Sequence, residues 1–112
     1  MAYTEKRLVA GSLLSGTAAT YYTCTAPVIK TIIKEMTFCN VDATTAYTFT
    51  LYIVPSGGSA ANANMEFKTV TLQPGETKIF GRTDVMEVGG FIQALASSAD
   101  KIAFSCSGVE RT

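Results

Sequence analysis

The most regular hydrophobic pattern of the chain lies in the segment Thr44–Val54. Large apolar side chains occupy every second position, and small or hydroxyl-bearing residues occupy the positions between them. A period of two residues is typical of a β-strand with one buried face and one solvated face. The residues of the predicted buried face are Tyr47, Phe49, Leu51 and Ile53.

Shorter segments of the same kind, separated by turn residues, follow one another along the whole chain. No segment has the 3.6-residue period of a helix. Short strands at even spacing are typical of a sandwich, so the predicted fold is all-β: a two-sheet antiparallel β-sandwich, jelly-roll-like, with eight or nine short strands. The predicted strands are Leu8–Leu14, Thr20–Thr25, Lys30–Asn40, Thr44–Val54, Glu66–Leu72, Thr77–Phe80, Val85–Val88, Phe91–Ala96 and Lys101–Val109.

Three connections have recognisable turn chemistry. Residues 73–76 (QPGE) have proline and glycine at the two central positions, which predicts a type II turn. Residues 82–84 (RTD) are predicted to be a turn between two short strands. Residues 55–64 (PSGGSAANAN) combine glycine, serine and asparagine, so we expect a flexible loop.

The long segment Lys30–Asn40 is predicted to be a single strand. Strict alternation places five of its residues on one face, with Met36 and Phe38 in the core and the Lys34 ammonium reaching water. The five residues expected on that face are Ile32, Lys34, Met36, Phe38 and Asn40.

No linker divides the chain, which predicts a single β-sandwich domain over residues 8–112, preceded by an N-terminal arm of residues 1–7. The arm is expected to lie across a neighbouring subunit. The basic pair before Leu8 superficially resembles the start of a signal peptide, but the apolar run is short and is broken by Gly11-Ser12. We favour a first strand there, and no stretch reaches the roughly 20 apolar residues of a membrane span.

Charge and composition exclude several classes of function. Nine Lys+Arg balance nine Asp+Glu, and the chain contains no histidine. A zero net charge disfavours nucleic-acid binding, which needs a basic excess. Without imidazole there is no Ser-His-Asp triad and no histidine metal site, and the acidic residues form no evident cluster. We therefore expect no enzymatic activity, no metal and no cofactor.

The three cysteines, Cys24, Cys39 and Cys106, are far apart and contain no C-x-x-C pair. A zinc site or a redox motif is therefore not indicated. We favour reduced thiols and folding in a cytosol, with one disulfide and one spare thiol as the alternative.

Candidate contact residues come from three places. Lys6-Arg7, with Tyr3 in the same arm, is a candidate for docking on an acidic partner, and a solvated terminus is the alternative. Of the adjacent Tyr21 and Tyr22, a regular strand turns one ring outward. Tyr22 is the predicted subunit contact, and an outward ring that covers a sheet edge is the alternative. The candidates in the glycine-rich loop are Ser56, Gly57, Gly58, Asn62 and Asn64.

Five motifs in this order resemble a group of small virion proteins of tailed bacteriophages, over most of residues 18–110. Each motif alone is ordinary turn sequence, and the specificity lies in their order and spacing. Two departures stand out: Gly90 where the family often has Asp, and TAPV at residues 25–28 where a V-P-A-G connection is usual. The motifs are KTIIKEMTFCN at Lys30–Asn40, LYIVPSGG at Leu51–Gly58, LQPGET at Leu72–Thr77, GGFIQA at Gly89–Ala94 and SGVE at Ser107–Glu110.

The resemblance implies a β-sandwich without catalytic residues and a structural role on the virion, assembled in the cytoplasm of a bacterial host. We expect a capsid decoration or cement protein that binds the major capsid protein or another virion protein as a homo-oligomer, with a trimer favoured. The first alternative is a neck, tail or fibre component that recognises the host surface through residues 55–64. A small hydrolase or sugar-binding sandwich is a third, because fold does not fix function.

Overall fold

Period-two segments pair into two antiparallel sheets that bury their apolar faces against each other. The computed structural model describes residues 2–112. Within them, one turn of 3₁₀ helix at Asn62–Asn64 is the only helical element. The strands are β1 (Tyr3–Leu13), β2 (Ala19–Thr23), β3 (Lys30–Asn40), β4 (Tyr47–Val54), β5 (Met65–Leu72), β6 (Thr77–Glu87), β7 (Phe91–Ala96) and β8 (Ile102–Arg111).

The strand order is that of a jelly roll. Sheet A has the order β1-β8-β3-β6, and sheet B has the order β2-β7-β4-β5. The chain crosses between the sheets at every connection except that between β4 and β5, so each sheet is built from strands distant in sequence. Eight strands in two antiparallel sheets of this order confirm the predicted fold class.

A stack of phenylalanine rings fills the space between the sheets. The Phe38 ring of β3 lies between Phe49 of β4 and Phe104 of β8, at centroid distances of 3.9 and 4.8 Å. Phe67 of β5 and Phe80 of β6 close one side of the stack, with their ring centroids 4.5 Å apart. Aromatic rings bury more apolar area than any other side chains, so this stack is the centre of the core. Phe49 and Leu51, predicted as core from the pattern of β4, are buried.

A β-bulge in β3 corrects the predicted face of that strand. Met36 and Phe38 are buried as expected, but N-terminal to them the buried residues are Thr31 and Ile33. The pairing of β3 with both neighbours shifts between Ile33 and Glu35. One extra residue reverses the alternation, so Ile32 and Lys34 do not share the buried face.

The segment predicted as a turn at residues 82–84 is the middle of a strand. β6 runs without interruption through Thr77–Glu87, with Phe80, Arg82 and Asp84 turned inward. The charged residues suggested a turn, but they are paired with each other between the sheets. The turn predicted at residues 73–76 is confirmed: the Glu76 amide donates to the Gln73 carbonyl and Gly75 has a φ of 73°.

The residues predicted as an N-terminal arm belong to sheet A. β1 begins at Tyr3, and Tyr3–Arg7 pair residue by residue with β8, starting with Tyr3 opposite Arg111. Backbone pairing extends the first strand to the N-terminal side of Leu8, because an antiparallel neighbour satisfies the amides and carbonyls that face it. Met1 lies outside the described residues.

Several residues of the five motifs that carry the phage-protein resemblance have structural roles. The buried Asn40 amide donates to the carbonyls of Thr45 and Leu72, and its side-chain oxygen accepts the Asp42 amide. A Cβ at Gly108 would lie 2.2 Å from the Ile32 carbonyl oxygen, so only glycine lets β8 and β3 approach here. A Cβ at Gly90 would lie 2.6 Å from the Met86 side chain, so this sequence packs the position too closely for aspartate.

Candidate interaction surface

The predicted N-terminal contact residues lie on β1, at one edge of sheet A. Tyr3 is 61% exposed, and Arg7 is exposed and forms no ion pair with residues 2–112. The Lys6 ammonium lies 3.3 Å from the Glu110 carboxylate of β8. Tyr3 and Arg7 are therefore available to a partner, whereas Lys6 is already paired, although its side chain remains half exposed.

The Tyr22 ring does not face outward as predicted, and a partner contact at Tyr22 stays a prediction. The pairing of β2 with β7 shifts between Thr20 and Tyr22, and this bulge turns both adjacent tyrosine rings toward the core. The Tyr22 hydroxyl donates to Glu110 at 2.5 Å and lies 2.7 Å from the Thr31 hydroxyl. Burial and then the hydrogen bond to Glu110 raise the pKa of Tyr22, because both favour the neutral phenol.

Glu110 connects two of the predicted contact residues. It accepts from Lys6 of β1 and from Tyr22 of β2, so one carboxylate links strands of both sheets. Lys6 and Tyr22 are predicted as separate contacts, whereas in the structure both donate to Glu110 and form one cluster between the sheets. No local sequence pattern indicates this arrangement, because the hydrogen bonds join residues that are 88 and 104 positions apart.

The glycine-rich loop is an ordered turn followed by a short helix. The Gly58 amide donates to the Pro55 carbonyl, and Gly57 between them has a φ of 77°, which glycine adopts freely. Asn64 ends the 3₁₀ turn, where its side chain accepts from the Ala61 amide and donates to the Ser59 carbonyl. These local hydrogen bonds order the segment, which was predicted to be a flexible loop.

Exposure differs among the predicted loop residues. Ser56, Gly57, Gly58 and Asn62 are exposed, and Asn64 is partly buried by its own hydrogen bonds. They remain candidates for contact with a partner.

The β1 residues and the loop lie at the same end of the sandwich but do not form one patch. Through β8 and β3, Tyr3 is in register with Glu87 at the end of β6. Gly89, just beyond β6, packs directly against Ser56 of the loop. Three strand spacings, about 14 Å, separate β1 from β6 along this row. The structure therefore offers two separate surfaces.

Exposed aliphatic side chains on β6 were not anticipated from the sequence. Ile79 is 62% exposed and Val85 is 56% exposed, both on the outer face of sheet A. Because a turn was predicted at residues 82–84, Ile79 and Val85 were assigned to different strands, whereas they lie on one continuous edge strand. The signal was present in the outward positions of that strand, which read T-I-G-T-V-E from Thr77 to Glu87.

An apolar groove of about 240 Å³ lies beside the end of β6. It is wide enough for one side chain of a partner and lies next to the Ser56 loop. The residues that line it are Ile53, Val54, Pro55, Ser56, Val85, Met86, Glu87 and Gly90.

A charged cluster joins the sheets on the side where β5 and β6 face each other. The Arg82 guanidinium donates to Glu66 of β5 and to Asp84 of β6, and it lies over the Phe67 ring at 5.1 Å. The hydrogen bond to Asp84 and the two negative charges raise the pKa of Arg82, so it stays charged. The arrangement satisfies the cation and its partners, and it has the features of a structural bridge.

The described part of the chain contains no group of three or more acidic or cysteine side chains placed to hold a metal ion. Its three cysteines are unpaired, and burial raises the pKa of the Cys106 thiol to about 12. None of its helical segments has the length and apolar character needed to cross a membrane.

Comparisons with known proteins identify the fold. No protein-family model matches the chain, and no curated protein matches it. The structure is similar to one from Bacillus endospore appendages, described as disulfide-linked pili, with a TM-score of 0.51 and 17% identity over 98% of this chain and 88% of that one. It is also similar to the VP2 subviral particle of infectious bursal disease virus, with a TM-score of 0.51 and 15% identity.

The match to the viral structure covers 97% of this chain but only 32% of the viral one. At these identities the likeness is one of fold. The chain is an all-β jelly roll of a kind also found in a viral particle and in a bacterial surface appendage.

Proposed function

We propose that this chain is a virion structural protein of a tailed bacteriophage, most specifically a capsid decoration protein that binds the outer capsid surface and stabilises the head. The observation that carries the proposal is the two-sheet jelly-roll fold, which is similar to that of a viral particle protein. The order and spacing of the five motifs support the tailed-phage origin.

The surface of the molecule supports assembly from many weak contacts. Exposed aliphatic residues are spread over several strands and loops of the described surface. A small oligomer that binds a repeated lattice multiplies weak contacts into strong avidity. A net charge of zero suits dense packing of identical copies, because they do not repel one another.

The proposal assigns the chain no catalytic reaction. Its partners are the major capsid protein or other virion proteins and further copies of itself, and its place is the virion. The trimer favoured on sequence grounds stays a prediction. Tyr3, Arg7 and the Ser56–Asn62 part of the loop remain the proposed contact residues for the capsid.

Binding of the purified protein to emptied capsids tests the proposal. We expect saturable binding to capsids that lack the protein, and a rise in the temperature at which those heads break open. Tyr3→Ser combined with Arg7→Ser is expected to weaken binding, with Lys68→Ser on the exposed β5 edge as a control. Absence of binding to capsids, or binding without stabilisation, contradicts the decoration role.

A neck, tail or fibre component is the second candidate. The similarity to the endospore appendage structure, which extends over nearly the whole of both chains, favours a fibre subunit specifically. Binding of the purified protein to host cells or to tail preparations, in the absence of binding to heads, would select this alternative.

A further inference from the structure

The four edge strands of the sandwich differ in how well they are protected against pairing with another strand. Natural proteins protect edges by shortness, bulges and outward charges. β2 has five residues. β5 carries Lys68, has two register shifts against β4, and has a φ of 43° at Thr69, inside the shift between Phe67 and Val70. β1 has two register shifts and presents Glu5 and Arg7 on its outer side.

β6 lacks most of this protection. It has eleven residues, or about 37 Å of edge at the usual rise of a strand. Its outward side chains carry one charge, Glu87 at the very end, which lies 3.7 Å from Lys30. The same row contains Ile79 and Val85, which are more exposed than the aliphatic residues of the other three edges.

The spacing of these two aliphatic residues is self-complementary. Ile79 and Val85 lie three positions on either side of Arg82. In an antiparallel pair of two β6 strands related by a two-fold axis at Arg82, Ile79 of each copy faces Val85 of the other. Direct cross-strand apolar pairs stabilise antiparallel sheets, and this contact contains two of them. Glu87 faces Thr77 of the other copy, so no like charges meet on the outer face.

We propose that the β6 edge is the contact through which two copies of this chain associate, with Ile79 opposite Val85 across a two-fold axis. The proposal deepens the self-association included in the proposed function and rests on that part of it, but it gives a two-fold dimer in place of the trimer favoured on sequence grounds. Backbone pairing of the two edges joins the two copies of sheet A into one eight-stranded sheet. Isologous contacts of this kind are the commonest route to symmetric dimers.

The irregularity in the middle of β6 is compatible with this register. Between Gly81 and Asp84, β6 has one more residue than β3 opposite it. Because the two-fold axis passes through Arg82, the irregular parts of the two strands face each other. The parts of β6 on either side of them then pair with Ile79 opposite Val85. Each Arg82 carries its own carboxylate partners, Glu66 and Asp84, so the two guanidinium groups meet already neutralised.

Sedimentation equilibrium of the purified full chain tests the proposal without any capsid. We expect a concentration-dependent dimer, and Ile79→Lys or Val85→Lys to weaken it at least about tenfold, because each change removes both symmetry-related apolar pairs. Leu13→Lys, at a similarly exposed site on the opposite edge of sheet A, is the matched control and should leave the dimer unchanged. Unchanged thermal unfolding of the variants at low concentration shows that they remain folded.

The double variant I79K/V85E tests the register. It places a lysine opposite a glutamate at both pairs, so we expect the dimer to return, now weakened by salt. A chain that stays monomeric up to about 1 mM, the limit of weak association, overturns the proposal. So does a trimer that the β6 variants leave intact. If the chain is monomeric and the β6 variants no longer bind capsids, the β6 edge pairs with a strand of the capsid and not with a second copy of this chain.

Discussion

The two long sides of the sandwich, where an edge of sheet A meets an edge of sheet B, are joined by different chemistry. On the β1/β2 side, the neutral Tyr22 hydroxyl bridges to Glu110 and Thr31, and the exposed Lys6 adds an ion pair. On the β5/β6 side, the charged Arg82 holds two carboxylates and packs on an aromatic ring.

The difference follows from what each side must satisfy. Glu110 is mostly buried, and it is a single carboxylate. The Tyr22 hydroxyl and the Lys6 ammonium, from two strands, satisfy its hydrogen-bonding capacity and its charge. Glu66 and Asp84 are two carboxylates close together between the sheets, and a planar guanidinium can bond to both at once. Replacing Arg82 would therefore leave two negative charges without a cation, whereas loss of the Tyr22 hydroxyl leaves one carboxylate that still contacts Lys6.

The largest effect is expected on the β5/β6 side. Arg82→Met should lower the free energy of unfolding by about 2 kcal/mol, because partly buried carboxylates lose their charged partner. Arg82→Lys keeps the positive charge but cannot bond both carboxylates in the planar geometry of a guanidinium, so the free energy of unfolding should fall by less. Urea titration of both variants measures this, and equal stability of R82M and the wild type would refute the bridge.

A smaller effect is expected from the hydroxyl on the β1/β2 side. Tyr22→Phe should cost about 1 kcal/mol, because it removes a hydrogen bond to a carboxylate and one to the buried Thr31. Tyr52→Phe is the control, since within residues 2–112 the Tyr52 hydroxyl has no hydrogen-bond partner and the change should have little effect. If Y22F and Y52F lose equal stability, the hydroxyl bridge contributes nothing specific.

Alkaline pH should separate the two sides. The pKa of Tyr22 is raised in the folded state, so folding holds this proton more tightly than the unfolded chain does. The stabilisation is complete below about pH 10, the ordinary pKa of tyrosine, and is lost as the pH rises above it. We expect the stability of the wild type to fall more steeply above this pH than that of Y22F. Parallel curves for the two proteins would contradict the assignment.

The smallest effect is expected for the exposed ion pair. Lys6→Ala should lower stability by about 0.5 kcal/mol or less, because a half-exposed ammonium gains little from a surface contact. Added salt should reduce even that difference. A loss comparable to that of R82M would mean that Glu110 depends on Lys6 and that the two sides are alike.

The sequence was sufficient to predict the elements and the fold class, since both depend on local alternation. The strand Lys30–Asn40 was predicted with its observed bounds, and the type II turn before Thr77 is present. The errors in the facing of side chains come from bulges, at Ile33–Glu35 in β3 and beside Tyr22 in β2. Two segments were also predicted wrongly: the turn at residues 82–84 lies inside β6, and the N-terminal arm is part of β1. A bulge reverses the facing of every residue beyond it, and its position depends on the neighbouring strand, which the local pattern does not contain.

The exposure of the candidate contacts was predicted correctly at Tyr3 and Arg7 and over most of the loop. Ser56 and Gly57 are exposed as expected. Tyr22 was misplaced because its partner Glu110 is 88 positions away. The β6 edge was missed because Arg82 and Asp84 read as a turn, and their pairing with Glu66 appears only once the two sheets are assembled.

The proposed function places this chain in a phage particle, and an electron cryomicroscopy reconstruction of that particle tests this central claim most directly. The proposed function predicts jelly-roll density on the outside of the head shell at regularly repeated positions, with β1 and the Ser56 loop toward the shell. Density for the chain only in the tail or fibres, or inside the shell, would contradict the decoration role.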